Sequence, residues 1–301
     1  MVWDTCSIVL HGGSNGSYFT NEIVTGSVVL ELKRERKLEQ MFLNITGKAK
    51  AMWTRPLATA PYVQFYSQTK KVLYISLTVF RELQGKTVGP GVISCQFDFM
   101  LPPDIPPTFK DSIARVRYKI KLSSKNVSKM MSTQMTNFIV EDRLNLNHIE
   151  EYMIPMVYEL EKTFGKSGKF SMTFKTYRAF APTQQIPFEA ILNNERRVKV
   201  NKITVTLIQK IVYNITSGSY NTDNIICKTK HSEIISKARE IFVLSMDIPQ
   251  IISSTTNQSE PMVDISYVLQ VKVNFRFHLP IHIDIPVIVA SIPVTHGIFF
   301  K

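Results

Sequence analysis

The sequence predicts an all-β protein built as two tandem immunoglobulin-like antiparallel β-sandwich domains. Three observations carry that prediction. Apolar residues alternate with polar ones at a period of two along most of the chain, the pattern of half-buried antiparallel strands. Helical periodicity is weak, and Pro, Gly and Asn turns bound the strands, which favours sandwiches. A strand-turn-strand pattern recurs about 150 residues after its first appearance, as expected of a duplicated unit. The length of 301 residues fits two domains.

Taken in order, residues 23–32 read as an early strand and residues 72–79 as a β-branched and aromatic one. Residues 97–106 form a strand running into a proline-bearing turn, and residues 116–121 a following strand that carries Tyr118. The joint falls near residues 142–155, where Asn145, Asn147, His148 and Pro155 interrupt the pattern, giving domains 1–147 and 148–301. Residues 169–175, 203–208 and 265–273 alternate cleanly. Residues 186–194 resemble 23–32, and 243–249 followed by 265–271 repeat the earlier turn and Tyr-bearing strand. Leu101-Pro102 and Ile248-Pro249 stand 147 residues apart, Tyr118 and Tyr267 149. The best helical stretch, residues 231–240 with Ile234, Ile235 and Ala238, is short.

Composition narrows the chemistry. Cys6, Cys95 and Cys227 lie far apart without a CxxC pair, which excludes a structural zinc knot or a dense disulfide framework. The first ten residues lack a basic n-region and carry Asp4, a poor signal peptide. No run of 18 apolar residues exists, since residues 277–294 include His278, His282, Asp284 and prolines. A cytoplasmic protein with free thiols is expected, recruited to the plasma membrane or endosomes if its partners sit there. On that reading the five Asn-x-Ser/Thr sequons, from Asn15 to Asn257, are chance matches.

Catalytic and metal motifs are incomplete. Gly12-Gly13-Ser14-Asn15-Gly16 matches the nucleophile-elbow pattern, but the elbow needs a helix after it and residues 17–22 have turn and strand character. A hairpin loop is expected there. Gly85-Lys86-Thr87 ends like a phosphate-binding loop, yet the position of its first glycine is Phe80. His278, His282 and Asp284 would share one side of a strand, but two His four residues apart lie roughly 13 Å apart, too far to share an ion. No catalytic residue, cofactor site or metal site is expected.

The most informative local feature is basic. In residues 115–122, Arg115, Arg117, Lys119 and Lys121 alternate with Val116, Tyr118, Ile120 and Leu122. A strand sends the first set to one face and the second to the other. The cations form a row roughly 20 Å long, suited to phosphorylated or acidic peptide tails or to anionic lipid headgroups. The bland alternative is a solvated face balanced by cross-strand Glu and Asp. A second basic cluster spans Arg196 to Lys202, and Lys33 to Lys37 reads as a charged hairpin tip. The pI near 9.5 also raises nucleic acid, but Tyr118 points away from the cations and no reader motif is present, which argues against it.

Several motifs resemble the arrestin fold, and the arrestin-domain-containing (α-arrestin) branch most closely. Val24-Thr25-Gly26-Ser27-Val28-Val29-Leu30 resembles its opening V-x-G-x-V-x-L strand, and Gly47-Lys48-Ala49-Lys50-Ala51-Met52-Trp53 its G-x-A-x-V-x-W segment. Phe97-Asp98-Phe99-Met100-Leu101-Pro102 with Pro106-Pro107-Thr108-Phe109 is similar to F-x-F-x-L-P…P-P-S-F. Val116-Arg117-Tyr118-Lys119-Ile120-Lys121 is similar to I-R-Y-x-V-K, and Leu144-Asn145-Leu146-Asn147 takes the place of the linker L-D-L-N. Residues 279–293 resemble the closing strand region. The resemblance implies a non-catalytic adaptor that binds cytoplasmic tails of membrane proteins and links them to endocytosis, sorting or ubiquitination. The family's Pro-Pro-x-Tyr motif for ubiquitin ligases is missing from this sequence, and its G-Y-x-P-G-E segment is degraded to Ala179-Phe180-Ala181-Pro182-Thr183-Gln184-Gln185. A retromer-type coat subunit of similar architecture is the alternative, and a hydrolase using Ser14 a third reading.

Overall fold

The computed structural model describes residues 3–14, 16–59, 61–124, 134–165, 168–195, 197–232, 237–250 and 252–297. The described residues form strands, with 3-10 turns at Arg81–Leu83 and Glu150–Tyr152. Contacts divide the chain into two units. The first takes Met1–Asp142 with Tyr213–Gly218 and Glu260–Met262, and the second takes the rest.

In the first unit, β1 (Thr5–His11), β3 (Ile23–Leu32) and β8 (Gly91–Met100) form one sheet in the order β1-β3-β8. The facing sheet runs β2 (Ser17–Phe19), β11 (Met135–Glu141), β10 (Ala114–Ser124), β5 (Met41–Pro56), β6 (Val63–Val79), with β9 (Phe109–Lys110) beside β10. The short β4 (Arg36–Lys37) and β7 (Thr87–Val88) pair with each other. Alternate residues of both sheets meet in one core, including Val28 and Leu30 of β3, Phe97 and Phe99 of β8, Leu43 and Ile45 of β5, and Tyr118 and Ile120 of β10. The two inner faces interlock as in an aligned sandwich.

In the second unit, β12 (Met156–Thr163), β13 (Lys169–Thr176), β15 (Gln185–Asn194) and β18 (Arg239–Asp247) form one sheet. The other runs β14 (Ala179–Phe180), β20 (Ile281–Val289), β19 (Val263–Phe275), β16 (Val200–Ile215), β17 (Gly218–His231). Phe174, Phe188 and Ala190 from the first sheet and Ile203 and Val205 from the second line a small apolar gap of about 10 Å³, too small for a ligand.

The duplication extends to hydrogen bonds. Central strands β3 and β15, paired on both sides, come from the two segments whose sequences resemble each other. Each unit has a short strand added in parallel, β2 on β11 and β14 on β20. Asn21 N–H donates to Leu101 O (3.0 Å), and Leu101 N–H to Glu22 O (2.9 Å). Thr183 N–H donates to Ile248 O (3.2 Å), and Ile248 N–H to Gln184 O (3.0 Å), the same exchange. Asn21 and Thr183 both have positive φ, 64° and 70°. Thr108 N–H donates to Val140 O while its Oγ1 accepts Val140 N–H, and Thr255 and Val289 repeat the pair. Tyr118 Oη donates to Pro106 O and Tyr267 Oη to Ser253 O. The chain is an all-β protein of two sandwich domains.

His231 closes β17 and residues 239 and 240 open β18, so the ends of the short helix-like stretch are strand, while 233–236, with Ile234 and Ile235, lie outside the described residues. One expectation is corrected. His278 sits in a bend before β20, against the Phe164 ring (4.6 Å), so it shares no strand face with His282 and Asp284. Those two are exposed on β20 opposite Lys272 and Gln270.

Candidate anion-binding face

The site is built on β10, whose alternation is as expected. Val116, Tyr118, Ile120 and Leu122 are buried, Arg115 and Arg117 exposed, Lys119 and Lys121 half-buried. Tyr118 anchors the strand from within. Its ring lies 5.6 Å from that of Phe138, and its hydroxyl reaches the Pro106 carbonyl. Burial pushes the phenol well above its ordinary range, so it remains a neutral donor. The ring lies across Gly47 of β5, its register partner. A Cβ at Gly47 would stand 2.4 Å from the Tyr118 ring and 2.9 Å from the Leu73 Cβ. Glycine is needed there for a close approach.

Register determines what surrounds the cations. On β5, Arg115 pairs with Lys50, Arg117 with Lys48, Lys119 with Thr46 and Lys121 with Asn44. On the other side, Arg115 pairs with Lys110, Lys119 with Asn137 and Lys121 with Met135. One strand further, a bulge at Gly47/Lys48 sets Lys48 opposite Lys71, whose ammonium lies 4.7 Å from the Tyr74 ring centroid. Directly paired residues of antiparallel strands point to the same face. The face therefore gathers Lys48, Lys50, Lys71, Lys110, Arg115, Arg117, Lys119 and Lys121. No carboxylate of the described residues lies within ion-pair distance of any of these eight. The acidic balance that the bland reading requires is absent from their register partners. Like charges set opposite one another cost stability, and an anionic partner would relieve that cost.

The sequence identified Arg115, Arg117, Lys119 and Lys121 and missed Lys48, Lys50, Lys71 and Lys110. One signal was available. Residues 41–79 and 112–140 contain no Asp or Glu, and Lys48 and Lys50 alternate with Gly47, Ala49 and Ala51 as the β10 cations alternate with larger apolar residues.

The other candidates have structural settings. Ser14 forms an isolated bridge with Ser17 in the loop between β1 and β2, where Gly12, Gly13 and Gly16 have positive φ. Strand, not helix, follows it. Gly85, also at positive φ, links a 3-10 turn to β7. In the second cluster Arg197 is exposed before β16, and Arg196 lies outside the described residues. Arg36 of the charged turn contacts Asp4 at 3.4 Å. Burial raises the Cys6 and Cys227 thiols to about 11, away from reactive thiolates. Among the described residues no three His, Cys, Asp or Glu converge as metal ligands, and no helix is long and apolar enough to cross a membrane.

Comparison with known proteins agrees with this architecture. Residues 6–147 match the family model for the arrestin (or S-antigen) N-terminal domain, and residues 166–294 that for the arrestin (or S-antigen) C-terminal domain. The chain is similar to arrestin domain-containing protein 5 of Homo sapiens, 18% identical across 93% of this chain and 86% of that protein. It is 20% identical to the Bos taurus protein of the same name, over 92% of this chain and 88% of the other. It is 24% identical to arrestin domain-containing protein 17 of Caenorhabditis elegans across 38% of this chain, a match that spans 28% of the worm protein.

Proposed function

The chain belongs to the arrestin family, in its arrestin-domain-containing (α-arrestin) branch, and on that premise we propose that it is a non-catalytic cytoplasmic adaptor whose basic face holds acidic or phosphorylated tails of membrane proteins. Its part would be to link such cargo to endocytosis, sorting or ubiquitination. The observation that carries the reading is the eight-cation face on β5, β6, β9 and β10 with no carboxylate in its register. An extended tail laid along β10 would meet a basic group about every 6–7 Å, the spacing of alternate residues in the tail itself. Arginines would take phosphate or carboxylate in paired hydrogen bonds. Recognition needs no bond chemistry.

The test is binding of a doubly phosphorylated acidic peptide by calorimetry. Arg117→Glu with Lys119→Glu should weaken it by roughly tenfold or more, because two attractive groups become repulsive. Both side chains lie on the outer face and Arg117 faces Lys48, so the melting temperature should not fall and should rise slightly as the like-charge repulsion is relieved. Unchanged affinity in the double variant would remove the face from the mechanism.

A further inference from the structure

The same sheet face changes character toward the end of the β5–β6 hairpin. Ala51 is the last β5 residue paired with β10, opposite Ala114. Beyond it, Met52 N–H donates to Ile113 O, and Trp53 to Pro56 pair with Tyr66 to Val63 of β6. The hairpin strands thus run roughly 17 Å past the start of β10. Its inner side holds Trp53 stacked on Tyr66, rings 5.5 Å apart and 9° from parallel. Its outer side continues the cationic face, because Lys48, Lys50 and Met52 alternate along β5 and Phe65 and Val63 stand opposite Thr54 and Pro56. Here the side chains are apolar and open. Phe65 is 72% exposed, Val63 50% and Met52 48%, and at the turn Tyr62 is 66% and Leu57 45% exposed. The turn itself is closed, with Leu57 N–H donating to Tyr62 O at 2.9 Å.

We propose that this hairpin tip seats Met52, Val63 and Phe65 in the interfacial layer of an anionic membrane while Lys48, Lys50 and Lys71 meet its headgroups. Large apolar side chains left open to water mark an interaction site. Charge complementarity selects the occupant: no Asp or Glu occurs between Met41 and Val79, and the nearest charged side chains along the outer side of β5 and β6 are Lys50, Lys48 and Lys71, while Asp111 beside Ile113 is taken up by Tyr213. Apolar side chains bordered by lysines are the composition of surface-lying membrane anchors, which reach about 5–10 Å below the headgroups. Shape decides against a peptide at the tip. The inner side of the ribbon is already occupied, since Gln68 Nε2 donates to Thr216 Oγ1, Gln68 Oε1 accepts the Thr216 N–H, and Tyr66 lies beside Gly218; only the outer side of the two strands is open, a surface that a fluid interface can cover. The contact needs the cations of the tail-binding face but no tail, so it goes beyond that reading.

The experiment uses the full chain with phosphatidylcholine vesicles, with and without phosphatidylserine. Trp3 and Trp53 are both buried, 4% and 6% exposed, so Phe65→Trp adds one open indole. With phosphatidylserine present its emission should shift to the blue and be quenched by lipids brominated on the acyl chain. Met52→Ser with Phe65→Ser should lower partition into those vesicles by at least about tenfold and leave affinity for the phosphorylated peptide unchanged. An unquenched indole overturns the proposal. So does partition that survives the Ser substitutions, or a loss of peptide binding in place of vesicle binding. Failure of Arg117→Glu with Lys119→Glu to weaken peptide binding would count against the tail-binding reading alone, since the indole shift, quenching and vesicle partition are read without peptide.

Discussion

Thr183 holds a backbone conformation that its side chain disfavours. Its φ of 70° places a β-branched residue in the left-handed region, where crowding of the Cβ costs roughly 1–2 kcal/mol. The equivalent turn of the first unit has Asn21 at 64°, with the same pair of backbone hydrogen bonds. Asn tolerates that region better than other non-glycine residues. Thr183 is exposed, so replacing it removes no core contact. Thr183→Asn should raise the melting temperature of the second unit by about 2–4 °C, measured by calorimetry. An unchanged or lower value would mean the surrounding turn favours threonine after all. Tyr118 shows how far a sequence reads at this scale. Its inward direction follows from alternation alone, but its partners, the Pro106 carbonyl and the space above Gly47, depend on which strands lie beside it.

Elements were legible in proportion to how much of their pattern is local. β10, β13 and β19 alternate over seven residues or more and were read directly. The two-residue strands β4, β7, β9 and β14 have no period to show. β5 contributes Lys48 and Lys50 to the face only through its register with β10, a fact of long-range pairing that no window on the sequence holds. The segment after β20 was equally opaque, although it is closely fastened within the second unit. His296 stacks on Tyr177 with ring centroids 4.0 Å apart, and its Nε2 lies 2.7 Å from Ala179 O. Gln184 Nε2 donates to Val294 O and Tyr177 Oη to Gly297 O. Burial lowers the His296 pKa below 6.5, against a smaller opposing pull from the Ala179 carbonyl. The folded state therefore binds this proton less readily than the unfolded one. Its stabilising contribution is present above pH 6.5 and is lost as pH falls below that value toward the lower folded pKa. Melting temperature should drop across that window in the wild type and drop less in His296→Gln. Parallel pH profiles for the two proteins would show that His296 is not the group responsible.

Over the whole molecule, net charge does not say where a partner binds. Residues 1–142 have 18 Lys and Arg against 11 Asp and Glu, a surplus of 7 out of the total of 12, so both halves are basic. In the first unit the charge is segregated: cations occupy adjoining strands within 41–79 and 112–140, and acids lie outside those stretches. Exposed charges separated by more than about 8–10 Å are screened at physiological salt, so scattered surplus charge gives little field there. On adjoining strands each of the eight cations has another as a register or alternate-residue neighbour, inside that distance, so they act together on an approaching anion. Affinity for the phosphorylated peptide should therefore fall steeply as ionic strength rises, with most of the change in the association rate. Stopped-flow or surface-plasmon measurements across a salt series should show that slope in the wild type. Arg117→Glu with Lys119→Glu should flatten it, while charge reversal at Arg197, outside this face, should leave it unchanged. A slope equally sensitive to Arg197 would mean that the diffuse charge of the chain, and not the arrangement on β5 and β10, draws the partner in.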